Sequence, residues 1–221
     1  MFTLTEELFL LSLRDGKNSV TIPHSTTLPY ALAGAMLVEL VLRGRIRLED
    51  SKWVVLQDDL PVEDDERLKE LLALIRTAAK PRKITHWINQ VGAKGVELEK
   101  KLLSVLVGRN VLIEEKKKFL WVIPFTEYSQ QDASAKYLRK QHLRDIVLGG
   151  KDADVQSVVL LSLMKSVDLL DQIFTVDEMK AARMRVSEIV KDEAIGSAVT
   201  ETLDAIFAAA LEASMSATFM A

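Results

Sequence analysis

From Tyr30 to Leu42 the chain is apolar almost without a break, and Glu39 carries the one charge in the segment. A helix that is apolar on every side has to be enclosed by the rest of the protein, so this stretch predicts a buried central helix around which the other elements are arranged. Its small residues Ala31, Ala33, Gly34 and Ala35 leave room for neighbours to approach closely, and Glu39 is a candidate partner for a buried ion pair. Arg43-Gly44-Arg45 reads as the end of that helix. Gly44 can take the left-handed geometry of a helix terminus, and the two arginines complement its negative pole.

Enclosing such a helix takes a sizeable core, and a chain of 221 residues with 48% hydrophobic side chains can supply one. Aromatic residues make up only 6% of it, whereas Leu, Val and Ala are abundant, which favours helices packed on aliphatic side chains. There is no cysteine, so disulfides, thiol nucleophiles, zinc fingers and iron–sulfur clusters are excluded. His24, His86 and His142 lack metal-ligand spacing, and neither a metal nor a cofactor is expected. Twenty-nine Lys and Arg against thirty-two Asp and Glu leave a formal charge of −3, so any anion site must be a local patch. The first apolar run has no basic segment before it and stops at Arg14-Asp15-Gly16-Lys17, which predicts neither a signal peptide nor a membrane span.

Along the chain, Thr5 is expected to cap a first helix over Glu7–Leu13. A short strand at Val20–Ile22 and a loop over His24–Pro29 lead into the central helix. Ile46–Glu49 and Trp53–Leu56 flank a polar turn and predict a hairpin. Helical spacing returns over Asp64–Thr77, Arg82–Val91 and Val96–Val107. A second hairpin is expected from Val111–Ile113 and Phe119–Ile123, with the charged Glu114–Lys118 as its turn. Leu37–Ile46 and Leu102–Val111 form a weak internal echo of helix, turn and strand. The last third predicts four helices, over Asp132–Leu148, Val155–Leu170, Val176–Ile189 and Thr200–Phe219. The expected fold is mainly α, a helical bundle with surrounding amphipathic helices and two short β-hairpins, in a single domain spanning 1–221.

A helix, a basic turn and a hairpin also make the skeleton of a winged-helix DNA binder, with Arg43, Arg45, Arg47 and Lys52 as its cations. Nucleic acid is not favoured, because Glu49, Asp50, Asp58 and Asp59 lie close by and the reading helix is too apolar to leave a face for base edges. The stronger surface feature is Lys116-Lys117-Lys118 running directly into Phe119-Leu120-Trp121-Val122-Ile123-Pro124-Phe125. Alternation along a strand would leave both of its faces apolar. Either both faces are covered, as in a homodimer or a protein scaffold using the 111–125 hairpin, or one is exposed and meets acyl chains while the lysines hold anionic headgroups. Neither a phosphate-binding loop, nor a dinucleotide glycine motif, nor a serine elbow occurs, and catalysis is not expected.

Leu4–Leu13 together with Leu32–Ile46, whose leucine helix ends in Leu42-Arg43-Gly44-Arg45, resembles the Golgi phosphoprotein 3 family. The Trp87-Ile88 segment, the Gly108–Leu112 turn and the helical final third follow in the same order. The resemblance implies a mostly α-helical, non-catalytic peripheral protein. Such proteins bind phosphatidylinositol 4-phosphate on the cytosolic face of a membrane and recognise the tails of protein clients. It also implies a headgroup pocket that uses a Trp before the central helix, an Arg at the start of that helix and an Arg pair on the helix before the second hairpin. The matching places here are approximately His24, Ala33, Val96 and Glu99. An acid at Glu99 repels the charge that an arginine captures, so the implied site is a looser anionic-lipid patch of His24, Arg14, Lys17, Lys94, Lys100 and Lys101. The resemblance further implies contact with a membrane, or with a second copy, through Lys116, Lys117, Lys118, Phe119, Leu120, Trp121 and Phe125. The chain carries no basic amino-terminal extension before Leu4, which suggests a pared-down, prokaryotic relative from a cell without a Golgi.

Overall fold

The apolar segment forms helix α2 (Leu28–Leu42), and its side chains from Leu28 to Leu40 are almost all buried. A computed structural model of the chain describes residues 2–16, 19–57, 64–119, 123–191 and 197–220. Around α2 lie α1 (Leu4–Ser12), α3 (Glu66–Thr77), α4 (Ile84–Gly92), α5 (Gly95–Gly108), α6 (Ser134–Val147), α7 (Val155–Ser166), α8 (Met179–Lys191) and α9 (Ser197–Met220). One connected core of buried side chains runs from Leu4 to Ala213. At Gly34 the side chains of Leu163 on α7 and Ala210 on α9 both stand 3.5 Å from where a β-carbon would sit. With neighbours on all sides, α2 has no free face to lay against a base edge.

The protein is mainly α-helical, and its described strands form two small sheets. Strands β3 (Ile46–Glu49), β4 (Trp53–Leu56) and β5 (Arg82–Lys83) form one, in that order. The other has the order β1-β2-β7-β6, where β1 is Arg14–Asp15, β2 Val20–Thr21, β6 Leu112–Phe119 and β7 Ile123–Gln130. The second hairpin is therefore longer than its sequence suggests. Glu114–Lys118 belongs to an eight-residue strand and is not a turn. Antiparallel register places Glu115 opposite Glu127 and Lys117 opposite Phe125, and Lys117 binds both glutamates, so the charged run is held in the ladder by pairs from strand to strand. Arg82 and Lys83, expected to open a helix, add an edge to the first sheet, and α4 begins at Ile84.

Helix α1 starts earlier than its sequence suggests, and Thr3, not Thr5, is its cap. The Glu6 amide donates to Thr3 Oγ1 at 3.3 Å while Glu6 Oε2 accepts from the Thr3 amide at 2.9 Å, a reciprocal capping box. The same Glu6 carboxylate, 2% exposed, accepts from Arg67 Nη2 of α3 at 2.7 Å. It also lies 3.3 Å from Arg109 at the end of α5. Asp65 caps α3 and grips Arg67 through Nε at 2.9 Å. Glu39 is the ion-pair partner its sequence position suggests. It accepts from the Leu4 amide at 3.0 Å and from Arg43 Nε at 2.9 Å, and Arg43 reaches on to Asp64.

The end of α2 closes with the Gly44 amide donating to the Val41 carbonyl and the Arg45 amide to the Leu40 carbonyl, with Gly44 at φ 65°. The corner recurs after α5, where Asn110 donates to Val107, Val111 donates to Leu106, and Asn110 lies at φ 57°. The internal echo is thus real in geometry, but Asn110 rather than Gly108 takes the left-handed position.

At the opposite end, Arg144 on α6 forks onto Glu178, just before α8, at 2.8 and 2.5 Å. This pairing, with a bond from the Thr175 amide, holds the Glu178 carboxyl down to about 2 from an ordinary 4.5. A depressed carboxyl adds stability above its unfolded pKa and loses it as pH falls through the folded value. The stability of the Glu178→Gln variant should therefore fall less steeply than that of the native chain between pH 4.5 and about 2, as read by acid titration of circular dichroism. Arg67→Met keeps the packing of the stem but strands the carboxylates of Glu6 and Asp65. It should lower the unfolding free energy by about 3–5 kcal/mol in urea titrations, and a loss below about 1 kcal/mol would show that the buried network is dispensable.

Candidate functional site

The loop into α2 is held by Ser25, whose Oγ accepts from the Thr27 and Leu28 amides at 3.3 and 3.1 Å. It faces the turn between α4 and α5, and two glycines let the elements close up. A β-carbon at Gly92 would fall 2.6 Å from the Tyr30 ring, and one at Gly95 would fall 2.6 Å from Pro29. The narrow seam opens outward into a cleft of about 490 Å³, lined by Ile22–Thr26, by Pro29 and Tyr30, and by Gly92, Ala93, Gly95, Val96 and Glu99.

This cleft brings together three of the four places that the family resemblance implied, namely His24, Val96 and Glu99. Ala33 does not join them, because it lies wholly buried inside the core, and the ring that α2 presents to the cleft belongs to Tyr30. Sequence reasoning passed over Tyr30, although an aromatic residue directly after a proline at a helix start is a visible signal. Burial raises the Glu99 carboxyl above its ordinary value, and the charge of His24 pulls it back.

Among the described residues, the lysines and arginine assigned to the headgroup patch do not line the cleft. Arg14 is exposed on the edge strand β1, and Lys17 lies outside the described residues. Lys94, just before α5, and Lys100 on it are exposed, and neither lines the cleft. Lys94 faces a separate, smaller pocket beside Met36 and Leu71. Lys101 also lines that pocket, and its ammonium is bound to both oxygens of Glu70 at 2.7 Å and to Glu97 at 3.2 Å.

The hairpin divides its lysines. By strand alternation Lys117 shares a face with Glu115, Phe125 and Glu127, while Lys116 and Lys118 lie on the other face, opposite Thr126 and Pro124. Phe125 is 42% exposed. Phe119 ends β6, whereas Leu120 and Trp121 lie outside the described residues. The base of the hairpin is fastened to the body by buried Leu112 and by β2, whose Val20 pairs with Tyr128. His24 follows Val20 by four residues, at most about 14 Å of extended chain, so the cleft and the hairpin base occupy neighbouring surfaces. Among the described residues no three His, Asp or Glu side chains gather as a metal site, and no helix is long and apolar enough to cross a membrane.

Compared with known proteins, the chain matches the model of Golgi phosphoprotein 3 (GPP34) over residues 4–206. It is similar to Vacuolar protein sorting-associated protein 74 of Schizosaccharomyces pombe, 28% identical over 137 residues that cover 53% of this chain and 40% of that protein. The aligned part is thus less than half of the relative's length, and the relative is eukaryotic, so it lends nothing to the expected prokaryotic origin. The match over residues 4–206 takes in α1 to α8 and the start of α9, with both sheets and the walls of the cleft, so the chain belongs to the Golgi phosphoprotein 3 (GPP34) family.

Proposed function

We propose that the chain is a single-domain, non-catalytic adaptor that attaches peripherally to the cytosolic face of an anionic membrane through its β6–β7 hairpin. The observation that carries this reading is the exposed Phe125 on strands that also present Lys116 and Lys118, for which no acidic partner is found among the described residues. An aromatic side chain at the acyl boundary and lysines at headgroup level contribute through different forces, burial of apolar area and Coulomb attraction. The name of the fission-yeast relative refers to vacuolar protein sorting, which accords with an adaptor working at membranes. General anionic-lipid attraction is favoured over a phosphoinositide-specific pocket, because no Lys or Arg lines the cleft beside His24.

Flotation with liposomes tests this reading. The chain should float with vesicles containing phosphatidylserine, and equally well when phosphatidylinositol 4-phosphate supplies the same total charge. Neutral vesicles should retain little. Phe125→Ser and the pair Lys116→Gln with Lys118→Gln should each reduce flotation several-fold, and added salt should weaken only the lysine-dependent part. Absence of flotation on every anionic vesicle would reject the proposal. Concentration-dependent sedimentation abolished by Phe125→Ser would instead assign the hairpin to a homodimer.

A further inference from the structure

The cleft beside His24 holds a carboxylate and neither lysine nor arginine, a poor setting for a phosphate. Glu99 is its one acidic residue, and the one basic side chain in its lining is His24, which acts on Glu99 through space without forming an ion pair among the described residues. A half-buried carboxylate opposed by a histidine alone, with no ion pair, is an arrangement that a positively charged ligand relieves. Beside it stands the Tyr30 ring, which cannot withdraw without opening the seam at Gly92. Prolines 23 and 29 add apolar wall. A carboxylate, an aromatic ring and apolar walls in a cleft of about 490 Å³ are the elements that recognise an organic ammonium group.

We infer that this cleft binds an organic ammonium, with Glu99 balancing its charge and Tyr30 contacting its alkyl or methyl groups. The cation is either the headgroup of a choline or ethanolamine phospholipid or a soluble amine, and both present the same chemistry. The inference stands apart from the membrane role of the hairpin, since Phe125 and the lysines of β6 take no part in it.

Titration of the full chain with choline chloride at constant ionic strength, followed by saturation-transfer NMR, tests it, with inorganic phosphate as the probe of opposite sign. Choline should bind in the millimolar range, roughly as a single exposed ammonium site allows. Glu99→Gln should weaken choline by about tenfold or more, equivalent to about 1.4 kcal/mol. Val96→Lys, at a mouth residue that is 69% exposed and free of packing demands, should weaken it similarly by placing a cation there. Circular dichroism of both variants checks that the fold is intact. Phe125→Ser should bind choline as the native chain does, so failure of membrane attachment and failure of this site are separable. Displacement of the chain from phosphatidylcholine-containing vesicles by free choline identifies the lipid headgroup as the source, and binding of choline without such displacement identifies a soluble amine. No choline binding by the native chain, equal binding by Glu99→Gln, or tighter binding of phosphate than of choline would each overturn the inference.

Discussion

The carboxylate of Glu6 is the interaction on which the arrangement of the helices depends. It closes the capping box of α1, receives Arg67 from α3 and draws Arg109 from the end of α5. A charge that is 2% exposed survives only when its lone pairs are filled, and three separate elements must be in place to fill them. Glu39 repeats the device one layer away, joining the first amide of α1 to Arg43 at the end of α2 and, through Arg43, to Asp64 ahead of α3. Arg43 and Arg109 each stand at the negative pole of a helix, so the macrodipoles reinforce the placement. The aliphatic core supplies the driving force for collapse but is indifferent to which helix end meets which. The two glutamates make that choice.

Geometry beyond the hub is repeated rather than invented anew. The corners after α2 and α5 use the same pair of backbone bonds, and a third after α7 does so with Asp168 at φ 56°. Glycine, asparagine and aspartate occupy the left-handed position in turn, the small set of residues that tolerates it. The echo between Leu37–Ile46 and Leu102–Val111 was legible, but its register was not. Glycine is the obvious punctuation in a sequence, and Gly108 sits two residues too early, inside the last turn of α5.

Much of the candidate site was legible as a set of positions and little of it as a surface. His24, Val96 and Glu99 are far apart in the chain, and the resemblance to a family, not their spacing, drew them together. Tyr30 follows Pro29 at the helix start, but the apolar run it opens read as core throughout. The lysine run read as one cationic block, yet alternation in the strand sends Lys117 toward Glu115 and Glu127 and leaves Lys116 and Lys118 on the opposite face. A near-neutral chain thus neutralises part of its most basic segment locally, and the charges that remain available are fewer than a count along the sequence implies.

The sequence by itself determined that the chain is mainly helical around one enclosed apolar helix, that Gly44 ends that helix, and that no thiol chemistry is open to it. These follow from the hydrophobic period, the conformational range of glycine and the residue inventory, all of which are local or additive. Only the tertiary structure decided that Glu6 and Arg67 share one buried bond, that Glu114–Lys118 is strand and not turn, and that the cleft beside His24 holds a carboxylate and a tyrosine in place of cations. Each of these depends on which distant segments become neighbours, and charge and packing act through distances in space that no local pattern specifies.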